Sequence, residues 1–314
     1  MRLRILLCCM LVGLGLQAQA DEVWQPTAGH IQVPLWPGTP PDAKPVKGPE
    51  YVGETEHEKL IAGKTYHYAG NITQPTLTVY APQGKNTGAA VLVIPGGGFE
   101  ILAMDLEGTE VCDWLNMRGI TCVLLKYRVP SLPYDWKCNC RKDNLTVPTQ
   151  SLEDTQRAMG LVRLHARDWG IDPHKLGVIG FSAGGYLVAS ISTHYDKRLY
   201  PAVDAADKQS CRPDFAIAIY PGHLTTDQGT LNPNVPVTKG TPPTFLLQAE
   251  DDHVDDGEAL TYYIALKAAG VPAEIHLYAH GGHAFGLRRT KDPITAWPDL
   301  VDTWLMGLGV IPGK

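Results

Sequence analysis

The stretch "GVIGFSAGGY", residues 177–186, places one serine among four glycines directly after a run that reads as a buried strand. Residues 180–184 fit G-x-S-x-G, and the small and apolar residues that follow predict a strand turning sharply into a helix. Such a turn strains the backbone of its central residue, and only neighbours without side chains can pack there. It lifts the Ser182 hydroxyl clear of the sheet. It also aims the Ala183 amide, at the positive end of the new helix, into the space above, where it can stabilise an oxyanion. A plain turn with serine as helix N-cap is the alternative.

On either side of this stretch, apolar runs at 77–80, 90–94, 122–127, 176–179, 215–220, 245–248 and 274–278 alternate with helical patterns at 108–117, 151–169, 183–193, 258–269 and 297–306. Most runs are continuous, as in strands covered on both sides. They predict an α/β fold with a mostly parallel central sheet of about eight strands and helices on both faces. The second helix has Thr149 or Ser151 as cap, Glu153 and Asp154 in its first turn and Gly170 at its end. With no repeat and no composition break after residue 75, residues 76–314 read as one catalytic domain. Residues 21–75 read as a Pro/Gly-rich arm and edge segment, of which 21–50 should lie extended on the surface or be partly mobile.

At the start, Arg2 and Arg4 precede an apolar run at 5–16, and Ala18-Gln19-Ala20 supplies the small-x-small pattern of a cleavage site. Residues 1–20 therefore read as an export signal, because the run falls short of the roughly 20 residues that span a bilayer. The mature protein is expected to be soluble and periplasmic or extracellular. The formal charge of −6 then becomes −8, with 25 basic against 33 acidic residues, which argues against nucleic acid and anionic membrane as partners. The 314 residues, 44% hydrophobic and 19% charged, suffice for a large core. Cleavage leaves five cysteines. Cys112 and Cys122 fall in a helix and a strand and read as small buried residues, while Cys138 or Cys140 can bridge to Cys211. No paired C-x-x-C spacing marks a metal site.

A serine hydroxyl needs a base, and the base needs a group to orient it. In this chain order the acid should follow a later strand and the histidine should come last. "AEDDHVDD", residues 249–256, offers five carboxylates, with Asp252 ranked first and Asp251 second; a solvated acidic loop or a cation site is the bland reading. "YAHGGHAFG", residues 278–286, offers His283, carried by paired glycines, with His280 as fallback. Pro95-Gly96-Gly97-Gly98-Phe99 leaves the strand at 90–94 as a glycine-rich loop, and its Gly97 and Gly98 amides are the other oxyanion candidates. The longest irregular insertion, 130–148, carries Tyr134 and Trp136, which can stack on a sugar ring. Asn71 and Asn144 head glycan-acceptor patterns.

The order "IPGGGF", "GFSAGG", "LLQAEDDHV", "GGHAF" resembles the α/β-hydrolase superfamily from about residue 75 onward. The stretch "GVPAEIHLYAHGGHAFGLR" is similar to the secreted dienelactone-hydrolase-like and xylan-esterase-like branch. That resemblance implies Ser182 as nucleophile, His283 as general base and Asp252 as its orienter, with Gly97, Gly98 and Ala183 supplying the oxyanion amides. Pro95 departs from the histidine of many relatives, and Ala249 from their glycine. The implied activity is hydrolysis of short acyl esters, acetyl or feruloyl, on a small-molecule or glycan alcohol, with no metal or organic cofactor. A serine peptidase or lipase of the same fold and a non-catalytic binding protein are the alternatives. Little room remains for a peptidase's extra domain, and "YDWKCNCRKDN" is polar where lipases have an apolar lid.

Overall fold

Each of the seven apolar runs becomes a strand of one sheet in the computed structural model of the chain, which describes residues 23–130, 148–226, 228–254 and 257–313. In chain order the strands are β1 (Ile31–Pro34), β2 (Tyr51–Glu54), β3 (His67–Gly70), β4 (Thr76–Tyr80), β5 (Ala90–Ile94), β6 (Ile101–Leu102), β7 (Thr121–Lys126), β8 (Leu176–Phe181), β9 (Phe215–Ile219), β10 (Thr244–Ala249) and β11 (Ala273–Tyr278). The helices are α1 (Glu110–Asn116), α2 (Thr149–Leu164), α3 (Ala183–Thr193), α4 (Glu258–Ala268) and α5 (Trp297–Gly307). The export signal at 1–20 and the insertion residues Tyr134, Trp136, Cys138, Cys140 and Asn144 lie outside the described residues.

The main sheet has eight strands in the order β1-β4-β7-β5-β8-β9-β10-β11, parallel from β7 to β11 and antiparallel at the β1 end. Strands β5, β7, β8, β9 and β10 are buried along their whole length, which is why they read as unbroken apolar runs. Two adjacent residues show that the faces are covered from both sides. A Cβ on Gly180 would meet Val188 of α3, whereas the Phe181 ring lies 6.1 Å from Trp297 of α5. Successive strand residues point to opposite faces, so α3 and α5 sandwich the sheet.

Three local expectations are corrected. Residues 31–36 are more than an arm laid on the surface: β1 pairs with β4, and Leu35 and Trp36 are buried. The Trp36 indole donates to Asp154 at 2.8 Å, and Arg157 Nε donates to the Leu35 carbonyl at 3.0 Å. These anchors come from α2, so the proline-rich composition of the arm carries no trace of them. Next, α2 begins at Thr149 without a side-chain cap, and it ends at Leu164. Ser151 donates instead to the Arg128 carbonyl at 3.0 Å, and Glu153 and Asp154 turn inward onto the Arg128 guanidinium at 3.0 and 2.9 Å. Lastly, Cys112 and Cys122 form a disulfide, because Gly119, at φ 72°, turns α1 back onto β7 and brings the two Cα atoms within 5.0 Å. Cys211 is buried and donates its thiol to the Tyr195 carbonyl, with no disulfide partner among the described residues.

Arg128, 3% exposed, therefore gives one positive charge and its N–H donors to two buried acids, Glu153 and Asp154, whose carboxyls burial pushes up. Replacing it by methionine keeps the bulk and leaves both carboxyls without those donors. Urea melting of Arg128→Met should show a loss of roughly 3–5 kcal/mol of unfolding free energy, and a loss under about 1 kcal/mol would mean that the acids find other partners.

Candidate active site

The turn between β8 and α3 holds Ser182 at φ 52°, ψ −119°, a conformation that costs an L residue on the order of 1–3 kcal/mol. Its surroundings hold it there. The Ser182 amide donates to the Ile219 carbonyl at 3.1 Å, and its carbonyl accepts from the Tyr186 and Gly222 amides at 3.1 and 3.2 Å. The flanking glycines serve close approach: a Cβ on Gly184 would stand 2.1 Å from the Ile94 carbonyl oxygen, and one on Gly180 would stand 2.2 Å from that of Gly184. Bulk at either position would push the turn off the sheet.

The histidine loop follows β11. His283 Nε2 lies 2.8 Å from Ser182 Oγ, and its Nδ1 lies 2.8 Å from Asp252 Oδ2. An ionised carboxylate only accepts, so Nδ1 carries the proton and Nε2 is left to accept from the serine hydroxyl. Asp252 is 5% exposed, and its other oxygen accepts from the Val254 amide at 2.9 Å. The two acids that the sequence left side by side are thus separated by role. Asp251 accepts from the Gly281 and Gly282 amides at 2.9 and 2.8 Å, holding the loop that carries His283, and its other oxygen lies 3.4 Å from the exposed His280. His280 is not brought to Ser182.

The glycine-rich loop after β5 lies against the serine, since a Cβ on Gly96 would stand 2.9 Å from Ser182 Cβ. Gly97 and Gly98 both have positive φ, 131° and 65°, and Ala183 opens α3 with its helix dipole behind it. The Gly96 amide is already committed: it donates to Glu107 at 2.7 Å.

Glu107 and Tyr220 escaped the sequence reading. Glu107, 2% exposed, also accepts from the Tyr220 hydroxyl at 2.9 Å, and burial pushes its carboxyl up while both donors pull it back. A carboxylate inside "LAMDLEGTEV" looks like the wet side of a helix, and its only signal was the apolar company it keeps. Tyr134 and Trp136 fall outside the described residues.

A strained serine at a strand-to-helix turn, with a histidine and an acid delivered by later strands of one parallel sheet, defines the α/β-hydrolase class. A family model for the alpha/beta hydrolase fold matches residues 146–287. The crystal structure of an acetyl ester-xyloside bifunctional hydrolase from Caldicellulosiruptor lactoaceticus is 30% identical, with a TM-score of 0.69, and the match covers 90% of this chain and 97% of that one. The chain belongs to the α/β-hydrolase superfamily.

Among curated proteins it is similar to an acetylxylan esterase from Xylanibacter ruminicola, 30% identical over 226 residues, covering 67% of this chain and 43% of that protein. It is also similar to endo-1,4-beta-xylanase B from Butyrivibrio fibrisolvens, 28% identical over 232 residues, covering 67% and 34%. The chain spans less than half the length of these two curated relatives.

The Gly282 and Gly281 amides, with His280, hold the Asp251 carboxyl below the usual carboxylate range. A depressed folded value stabilises fully above the unfolded value of about 4 and is lost as pH falls through the lower folded one. Asp251→Ala should therefore melt below the parent at pH 7, and the two should converge in acid. A difference in melting temperature that stays constant with pH would remove the charged carboxylate from the explanation.

Proposed function

We propose that this protein is an exported serine carboxylesterase that removes short acyl groups, acetyl foremost, from a carbohydrate alcohol. The observation that carries the reading is the hydrogen-bonded chain from Ser182 through His283 to Asp252, 2.8 Å at each step. His283 takes the hydroxyl proton as Ser182 Oγ attacks the ester carbonyl, and Asp252 keeps the ring oriented and offsets the imidazolium charge. The Gly97, Gly98 and Ala183 amides receive the developing oxyanion. His283 then returns the proton to the departing alcohol, and water repeats the sequence on the acyl-enzyme. No step calls for a metal or an organic cofactor.

The carbohydrate clause draws its support from the relatives, whose names carry acetylxylan and acetyl ester-xyloside. Export rests on the leader-like residues 1–20. Its test is mass spectrometry of the exported protein, with a mature N-terminus at Asp21 expected.

Ser182→Ala should lower turnover of an aryl acetate on the order of 10⁶-fold. Asp252→Asn should lower it on the order of 10⁴-fold, by spoiling the histidine tautomer. Undiminished activity in Ser182→Ala would end the proposal. A panel running from acetate to longer acyl esters, on free and polymeric alcohols, tests the substrate: acetylated xylan turned over no better than a simple aryl acetate would remove the carbohydrate clause.

A further inference from the structure

We propose that Glu107 is a positioning residue of this site, whose carboxylate locks the glycine-rich oxyanion loop to the histidine loop. The inference rests on the esterase reading and adds a part to it. Glu107 lies in a single π-helical turn, Asp105–Thr109, which delivers the chain into α1 and turns the side chain inward. One oxygen accepts from the Gly96 amide at 2.7 Å, at the point where β5 enters the glycine loop. The other accepts from the Tyr220 hydroxyl at 2.9 Å.

Tyr220 extends the connection. Its oxygen accepts from the Gly286 amide at 3.0 Å, three residues beyond His283, and its ring packs 4.9 Å from the His283 ring and 4.7 Å from Phe285. Its backbone sits at φ 37°, a strained value that persists only where several contacts over-determine it. One buried carboxylate thereby joins the loop beside Ser182, the exit of β9 and the loop that carries the base.

Donors and acceptors fix how this works. The Gly96 N–H and the Tyr220 O–H both donate, so a charged carboxylate satisfies each with one oxygen. A protonated acid would offer its hydrogen to the Tyr220 oxygen, which already accepts from Gly286, and would leave the tyrosine hydrogen without an acceptor. The same count applies to glutamine, which keeps the size but replaces one acceptor with a donor. Oxyanion stabilisation depends on amides held in place before reaction, and a misplacement of about 1 Å costs roughly 10²-fold.

The test compares the parent, Glu107→Gln, Tyr220→Phe and the double variant for kcat and KM on an aryl acetate. It also follows the rate at which a fluorophosphonate labels Ser182, and the melting temperature. Glu107→Gln should lose kcat by about 10- to 100-fold with KM little changed, and labelling should slow in parallel. Tyr220→Phe should lose less, and the double variant should be no worse than Glu107→Gln, because both act through one connection. Parent kcat in Glu107→Gln, a loss confined to KM or to melting temperature, or independent multiplication in the double variant would overturn the inference. If Glu107→Gln does not fold, Tyr220→Phe decides alone: a kcat loss at unchanged KM supports the connection, and parent kcat overturns it. A parent that neither hydrolyses the ester nor labels would overturn the esterase reading, and this inference with it. An active parent with an equally active Glu107→Gln overturns this one only.

Discussion

The approach of Gly184 to the Ile94 carbonyl is the constraint on which the site depends. A Cβ there would stand 2.1 Å from that oxygen, so α3 sits directly on the end of β5 only because the residue has no side chain. This contact sets Ser182 and the glycine loop side by side, although they leave different strands. Ser182 donates to Ile219 and accepts from Tyr186 and Gly222, and these hydrogen bonds hold the strained turn from three directions. Parallel strands bring the remaining pieces to the same edge, since the acid and histidine loops also leave the carboxyl ends of β10 and β11.

Neighbouring residues of one chemistry acquire different work from one loop. Asp251 and Asp252 are adjacent carboxylates, yet one meets two backbone amides and the other meets an imidazole. The first shapes the loop that carries His283, and the second touches the His283 ring itself. His280 and His283 divide similarly, with His280 left in solvent and His283 enclosed beside Tyr220.

Buried charge recurs wherever distant segments must be joined. Arg128 with Glu153 and Asp154 ties the N-terminal arm to α2, and Arg157 pairs with Asp204 and Asp207 beside it. Glu107 does the same between loops around the serine. Each group surrounds a buried side chain with hydrogen bonds, which lowers the cost of holding it away from water. Apolar packing alone would hold these segments with less directional control, because hydrophobic contact does not specify an angle.

Much of the fold was legible because its signals are local. Continuous apolar runs marked the central strands, glycines marked the turn at Ser182, and the order of serine, acid and histidine followed the order of the strands. The choice between Asp251 and Asp252 needed the tertiary structure, since one residue of separation on a loop decides which carboxylate faces inward. So did the anchored arm, the Cys112–Cys122 bridge and the pair Glu107–Tyr220. Trp36 meets Asp154 across 118 positions, and Tyr220 meets Glu107 across 113. Contacts of that span leave no periodicity behind. Steric and hydrophobic preferences act along the chain, so the sheet, the strained serine and the kinds of residue that meet there could be read from local sequence. Which acid and which buried carboxylate meet them was set by long-range packing, because hydrogen bonds are made to whatever lies within 3 Å.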